Sequence, residues 1–253
     1  MLDERRPSTH PGPCVLALLL TLAGCASAPP HARAVEEVRR GYQWLANGDR
    51  ERAEVAFEHA LEIAPDLGEA RTGLGLALRV AGRPDLALVQ FDAAIAADPD
   101  LAEAHAARAE SLLALGEDRR AEEAFRDALR IDPDQVAARI TRARWLARRA
   151  EKLSGGERRL LLDRARRDLL HAAEARPEMA LVHHDLGWVS WLRDEPSASA
   201  ASYLKAAAID PAMPEAWAGA CAALTASGRE AEARATCARA ARTKGAPAGA
   251  GAP

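Results

Sequence analysis

The chain has 253 residues and a formal net charge of −3; 49% of its residues are hydrophobic but only 4% are aromatic. A near-neutral balance argues against a dedicated nucleic-acid binder, which would be strongly basic. Because alanine supplies much of the apolar content and β-branched runs are few, the composition predicts an all-α fold of closely packed helices.

The N-terminus has the pattern of a cleaved export signal. Residues 14–23 read CVLALLLTLA, an apolar run far shorter than the ~20 residues that a membrane-spanning helix requires. Acidic residues cancel the two arginines before the run, so the usual positive charge is missing. The run ends in LAGC, which resembles a bacterial lipobox. That resemblance implies that residues 1–24 are removed and that Cys25 is the lipid attachment site; the alternative is an ordinary secretory signal that contains a cysteine.

Residues 25–33 are expected to form a short tether after the lipidated Cys25. Two or more acyl chains would make anchoring stable, since one chain alone binds only marginally. Ala26 stands where an Asp would imply retention in the inner membrane in the lipoprotein pattern. We therefore expect a lipid-anchored protein of the cell envelope, at the outer membrane and facing the periplasm.

A period of 34 residues organises the chain from residue 34 to residue 247. Five columns keep this spacing across three successive units: Pro65, Pro99 and Pro133; Gly48, Gly82 and Gly116; Phe57, Phe91 and Phe125; Ala53, Ala87 and Ala121; Ala60, Ala94 and Ala128. The spacing resumes between Pro177 and Pro211. The repeat resembles the tetratricopeptide repeat (TPR) family.

This resemblance implies a right-handed α-solenoid of about six helix-turn-helix units, at residues 34–67, 68–101, 102–135, 136–179, 180–213 and 214–247. Each glycine would make the turn inside a unit, where a positive φ costs least without a Cβ. Each proline would end the second helix and fix the start of the next unit. Residues 245–253, GAPAGAGAP, have no apolar period and are expected to be a disordered tail.

The fourth unit contains ten additional residues and the string LSGGERR at 153–159, which resembles the signature loop of ABC-type ATPases. Such an enzyme would also need a phosphate loop of the form GxxxxGK[ST], which the sequence lacks. The competing interpretation is a capping box, in which Ser154 and Glu157 begin the second helix and the two glycines make the turn. We expect an elongated hairpin, each helix longer by about a turn, and no nucleotide partner.

Basic residues are concentrated in this unit. Residues 136–170 contain eleven Arg or Lys and four Asp or Glu, so the rest of the chain is strongly acidic. The segment is either a contact for an anionic surface or a solvated arginine-rich face.

In the TPR family, recurring positions of each first helix face a concave protein-binding groove. Carried over to this sequence, the resemblance predicts a groove for a peptide or helix lined by Tyr42, Arg79, Glu110, Arg144, Arg148, His184, Trp188 and Trp191. Trp188 and Trp191 are one turn apart and could form a socket, unless one of them packs into the adjacent hairpin.

No cofactor, metal site, catalytic residue or nucleic-acid partner is expected. His183 and His184 are neighbours on a helix and point about 100° apart, so they cannot share a metal ion from one face. Cys221 and Cys237 flank the last glycine turn almost level with each other, so they form either a disulfide or a buried free pair.

We therefore predict a non-enzymatic, lipid-anchored scaffold of the bacterial envelope. Its layout is similar to that of pilotin-type TPR lipoproteins, which implies a role in assembling an envelope complex such as a pilus or secretion apparatus. The alternative is an adaptor that presents substrates to an envelope protease or a cell-wall hydrolase.

Overall fold

The structure is a computed structural model that describes residues 29–244. The predicted signal peptide, Cys25 and the C-terminal tail lie outside the described residues. Residues 29–244 contain twelve α-helices and no strand. The helices are α1 (Pro30–Ala46), α2 (Arg50–Ile63), α3 (Gly68–Val80), α4 (Pro84–Ala97), α5 (Ala102–Ala114), α6 (Asp118–Ile131), α7 (Val136–Glu151), α8 (Gly155–Ala175), α9 (Ala180–Leu192), α10 (Pro196–Ile209), α11 (Pro214–Ala226) and α12 (Glu230–Lys244).

The helices form six antiparallel hairpins stacked in chain order. Each odd-numbered helix packs on the even-numbered helix that follows it, and each hairpin packs on the next. Helices α3, α5, α7, α9 and α11 begin at residues 68, 102, 136, 180 and 214, where the 34-residue period predicted the unit starts. The all-α solenoid predicted from the sequence is therefore confirmed.

The first helix begins earlier than the sequence predicted. Helix α1 starts at Pro30, so the last four residues of the predicted tether, 30–33, are helical. Proline is favoured at the first helical position because its missing N–H has no acceptor there in any case. The repeat pattern could not reveal this turn, since a solvent-exposed first turn carries no apolar period.

Large side chains fill the space between successive hairpins. Phe57, Phe91 and Phe125 are completely buried, each on the second helix of its hairpin. The ring of Phe57 lies against Gly41 of its own hairpin and Gly73 of the next, where a Cβ would overlap it. Because glycine has no Cβ, the ring of Phe57 can occupy the space that side chains at residues 41 and 73 would otherwise fill.

The hairpins are also joined by a hydrogen bond that repeats at every junction. The carbonyl of the proline in each inter-hairpin turn accepts an N–H from the side chain six residues later. The donors are Arg71 to Pro65 (2.8 Å), His105 to Pro99 (3.0 Å), Arg139 to Pro133 (2.8 Å), His183 to Pro177 (2.9 Å) and Trp217 to Pro211 (2.9 Å). Three different residue types therefore satisfy the same carbonyl, which lies one residue after the C-cap of the preceding helix.

The fourth hairpin is elongated, but not evenly. Helix α7 has 16 residues against 13 in α3, α5, α9 and α11, and α8 has 21 against 14 in α2, α4, α6 and α10. The prediction of one additional turn in each helix was therefore wrong for α8, which gains two. Both additions lie at the tip of the hairpin, because the base keeps the register of its neighbours.

The LSGGERR string forms this tip. Ser154 occupies the N-cap position of α8, but its side chain makes no capping hydrogen bond, so the predicted capping box does not form. Of the two glycines in the string, Gly155 alone makes the left-handed turn, at φ +65°. Arg158 closes the tip by donating to the carbonyls of Ala150 (3.1 Å) and Leu192 (2.6 Å).

Candidate protein-binding groove

The candidate groove is the face formed by the first helices of the hairpins, α1, α3, α5, α7, α9 and α11, here called the first-helix face. Neighbouring first helices contact one another from α1 to α5 and from α7 to α11. Between α5 and α7, Thr141 donates a hydrogen bond to Glu110 (3.2 Å). The face is therefore continuous along the six hairpins, and it carries the predicted groove residues.

Two of the predicted groove residues bind each other. Arg79 Nη1 of α3 lies 3.0 Å from Glu110 Oε2 of α5, and both side chains are partly exposed. Because Glu110 also accepts the hydroxyl of Thr141, its two oxygens link three successive hairpins. The buried Nε of Arg79 has no hydrogen-bond partner among the described residues.

A second pair fixes Arg144. Its Nε donates to Oδ2 of Asp185 on α9 at 2.6 Å, and the other oxygen of this buried carboxylate lies 3.2 Å from Nδ1 of His184. The His184 ring meets Tyr203 edge to face, with centroids 5.4 Å apart. Burial, with a contribution from Asp185, raises the pKa of Tyr203 to about 12. Arg144 and His184 are thus held in place within the array.

At the other end of the face, Tyr42 lies in an acidic environment. Its ring packs edge to face on Phe57, with centroids 5.3 Å apart. Burial and the Glu103 and Glu69 carboxylates raise the pKa of Tyr42, so the phenol stays protonated. Partial desolvation and the Glu69 charge likewise raise the pKa of Glu103. This end of the face would favour a basic side chain of a ligand.

The two tryptophans do not form one socket. Trp188 is half-buried against the core formed by α7, α8 and α9. Trp191 is 43% exposed and lines a cavity of about 240 Å³ with Asp194, Pro196 and Ala226. The alternative that one tryptophan packs into the hairpin core therefore holds for Trp188. Arg148 is exposed and forms no ion pair with residues 29–244.

An apolar cavity of about 600 Å³ opens on the same face between the fourth and fifth hairpins. Its apolar wall comes mainly from Val136, Ile140, Met179 and Leu181, and Arg144 lies at its side. Sequence analysis missed this cavity. The signal was present, because Ile140 and Leu181 occupy recurring groove positions of the repeat, but they read as ordinary core residues. The cavity could receive one or two apolar side chains of a ligand.

The last hairpin ends the array with a disulfide between Cys221 on α11 and Cys237 on α12, whose Cα atoms are 4.9 Å apart. Cys237 occupies the repeat position of Phe57 and of Tyr203, and Cys221 that of Gly41. In the other hairpins the following hairpin covers the large side chain, but none follows α12 within the described residues. The disulfide joins α11 and α12 covalently, so this pair of helices does not depend on a following hairpin to bury a large side chain.

Residues 29–244 meet neither the requirements of a metal site nor those of a membrane span. No three His, Cys, Asp or Glu side chains come together there in a way that would hold a metal ion. Nor does any helix in that range combine the length and apolar character needed to cross a bilayer. His105 and His183 each commit a ring nitrogen to a proline carbonyl.

Comparisons with known proteins agree on the repeat. Residues 39–102 and 72–136 match the tetratricopeptide repeat family. No curated protein matches the chain. Many solved structures match the chain. The three described below are less than 25% identical to it, and a similarity at that level establishes a common fold and nothing further.

Three of these structures are informative. PilF of Pseudomonas aeruginosa is 23% identical over 72% of this chain and 78% of its own, with a TM-score of 0.61. PilW, described as a widely conserved type IV pilus biogenesis factor, is 16% identical over 81% of this chain and 91% of its own, with a TM-score of 0.67. YrrB, described as a TPR protein with an unusual peptide-binding site, is 19% identical over 75% of this chain and 97% of its own, with a TM-score of 0.53.

Proposed function

Because this chain is built from tetratricopeptide repeats, we propose that it is a protein-binding scaffold that holds an extended or helical segment of a partner on its first-helix face. The observation that carries the proposal is the apolar cavity between the fourth and fifth hairpins, flanked by Arg144 and opening on a face already held rigid by ion pairs. A pre-formed apolar pocket with fixed polar groups around it suits recognition of a peptide side chain.

We further propose that the scaffold works in the bacterial envelope, anchored through a lipid on Cys25 and facing the periplasm, where it helps to assemble a pilus or secretion apparatus. The lipobox-like LAGC at residues 22–25 supports the anchoring. The shared fold of PilF and PilW supports the assembly role, as a fold-level analogy.

Site-specific photo-crosslinking in living cells tests the binding face. A photoreactive residue is placed at Leu181 or Trp191, which are exposed beside the two cavities, and at Val89 as a control on the outer helix α4. We expect the same partner at both groove positions and not at Val89, because the partner contacts only the first-helix face. Recovery of no protein from either groove position, or of the same proteins from all three, would overturn the proposal.

Metabolic labelling with a fatty acid tests the anchor separately. Label should enter the chain and be lost on Cys25→Ser, while crosslinking from Leu181 reports on the groove in either form. Incorporation of label into the Cys25→Ser chain, or no label in the unchanged chain, would reject lipid anchoring and leave the binding face to its own test.

A further inference from the structure

We propose that the outer face of α8 is a docking surface for an anionic lipid bilayer. The surface, here called the α8 ridge, is formed by Arg159, Leu160, Arg166, Arg167 and Leu170. It belongs to a second helix of a hairpin and is therefore separate from the first-helix face. The proposal thus concerns a second binding surface with a ligand of different chemistry.

The ridge residues share one side of the helix. At about 100° per residue, positions 159, 166, 167 and 170 fall within one quadrant or slightly more, and position 160 lies at its edge. The opposite side of α8 is buried in the core through Leu161, Leu162, Ala165 and Leu169. Leu160 is 57% exposed and Leu170 43% exposed, so two large apolar side chains lie in solvent among the arginines.

The ridge arginines are not neutralised by the protein. The buried Asp168 is bound by Arg139 (3.2 Å) and Arg142 (2.6 Å), and Asp163 is bound by Arg193. No ion pair joins Arg159, Arg166 or Arg167 to another residue in the range 29–244. Glu174, one turn beyond Leu170, is the acidic residue at that end of the ridge. Arg166 is partly buried and Arg159 lines a cavity with Asp194 and Glu195, but none of the three guanidinium groups is held in an ion pair within the described residues, so all three can bind an external anion.

The charge of the whole chain would orient this face. Residues 136–170 have eleven basic and four acidic residues, while the chain as a whole has a net charge of −3. The remainder therefore carries a net charge of about −10, and a negatively charged surface attracts the fourth hairpin while it repels the other hairpins. A flat anionic layer would thus contact this part of the solenoid first.

A bilayer fits the ridge better than an acidic protein does. Exposed leucines between arginines can enter the headgroup region while the guanidinium groups bind lipid phosphates, for which their planar fork is suited. This step also draws on the proposed acylation of Cys25, since a chain anchored at its N-terminus always has a bilayer within reach. An acidic protein surface would use the arginines but give the leucines no comparable environment.

Vesicle flotation tests the ridge without the anchor. The chain from residue 25, which contains every described helix, is made with Cys25→Ala and mixed with phosphatidylcholine vesicles with or without phosphatidylglycerol. We expect binding only with phosphatidylglycerol, weakened by salt, and reduced by at least about tenfold in R159Q/R166Q/R167Q, because this variant loses three of the charges that attract the anionic surface. The single variant Leu160→Ser should also bind the vesicles more weakly than the unchanged chain, but its binding should depend on salt to the same extent, because no charge is lost.

The matched control is R119Q/R126Q/R130Q, which removes three exposed arginines from the neighbouring outer helix α6. It should bind vesicles as the unchanged chain does. Equal losses in the two triple variants would show a general charge effect and overturn the proposal. So would an absence of vesicle binding, or binding to an immobilised polyglutamate chain but not to vesicles, which would point to an acidic protein. None of these outcomes bears on crosslinking at the first-helix face.

Discussion

The Cε1 atom of Phe91 lies where it would be 2.5 Å from a Cβ at residue 75, so Gly75 is the residue that lets this ring be completely buried. The same relation holds between Phe57 and Gly41 and between Tyr203 and Gly187. The first, second and fifth hairpins are therefore each closed by one aromatic ring packed on a helix position that lacks a Cβ.

Gly75→Ala is expected to destabilise the array by about 1–3 kcal/mol, because the ring of Phe91 has no space to move aside in a close-packed interior. The measurement is the free energy of unfolding in denaturant. Gly156→Ala is the matched control, since a Cβ there meets no atom within 4 Å. A loss of stability at Gly156 equal to that at Gly75 would contradict this account.

His105→Arg should be tolerated to within about 0.5 kcal/mol, whereas His105→Leu should cost about 1–3 kcal/mol. Arginine already serves the equivalent carbonyls at Pro65 and Pro133, while leucine leaves the Pro99 carbonyl without its donor. Denaturant unfolding of both variants gives the comparison. If His105→Leu had the same free energy of unfolding as His105→Arg, the hydrogen bond to the Pro99 carbonyl would contribute nothing to stability.

Asp168→Ala is expected to destabilise the fourth hairpin by about 3 kcal/mol, because this buried carboxylate, 3% exposed, is the partner of both Arg139 and Arg142. Asp163→Ala removes a more exposed partner of Arg193 and should cost less than about 1 kcal/mol. Thermal unfolding ranks the two variants. The reverse order would mean that burial does not set the strength of these pairs.

Reduction of the Cys221–Cys237 bridge should add two hydrogens to the mass of the chain and lower its stability by about 3 kcal/mol, as the chain-entropy estimate gives for a loop of this size. Hydrogen exchange should accelerate in α11 and α12 before it does in α1 to α8. The variant C221G/C237F introduces the glycine and aromatic pair of the first, second and fifth hairpins. It should not recover the lost stability, since no hairpin covers the new ring; full recovery would refute this reasoning.

Stability should decrease as the pH rises from about 10 towards 12. The pKa of Tyr203 is raised to about 12 in the folded chain, above the value of about 10 for an unfolded tyrosine. Its contribution is thus complete below pH 10 and is lost as the pH passes through the folded pKa. The pKa of Tyr42 is raised in the same sense, so Tyr203→Phe should reduce this slope and Y42F/Y203F should remove most of it. An unchanged slope in the double variant would exclude the two phenols as its cause.

The repeat could be predicted from the sequence because each of its recurring positions accepts few residue types. Glycine in the turns, phenylalanine between hairpins and proline after them each have one physical reason, so identity at a fixed offset is visible by inspection. The donors to the proline carbonyls escaped notice because Arg, His and Trp share only an N–H of sufficient reach. Asp194 likewise takes the left-handed turn of the fifth hairpin, at φ +59°, where most other hairpins have glycine.

The candidate groove was only partly predictable. Position in the repeat indicated which helices form the face, but it could not reveal that Arg79 and Glu110 bind each other or that Arg144 binds Asp185. Those pairs depend on the distance between side chains of different hairpins, which a one-dimensional pattern does not contain. The prediction of about one additional turn in each helix of the fourth hairpin was wrong for α8 for the same reason, since only the tertiary register shows where a helix is free to lengthen.

The placement of that additional length at the hairpin tip has a consequence for engineering. The added residues, between about 149 and 161, lie at the hairpin tip, where the hydrogen bond from Arg158 to the carbonyl of Leu192 ties them to the fifth hairpin. Changes of length between Lys152 and Gly156 should therefore leave the stacked bases unchanged. An epitope or fluorescent module grafted there, or a trimmed version of the loop, should leave the spacing of all other units untouched. The tip of the fourth hairpin is in this sense an insertion site, at which the molecule can accept an additional segment while the packing of the other hairpins is kept.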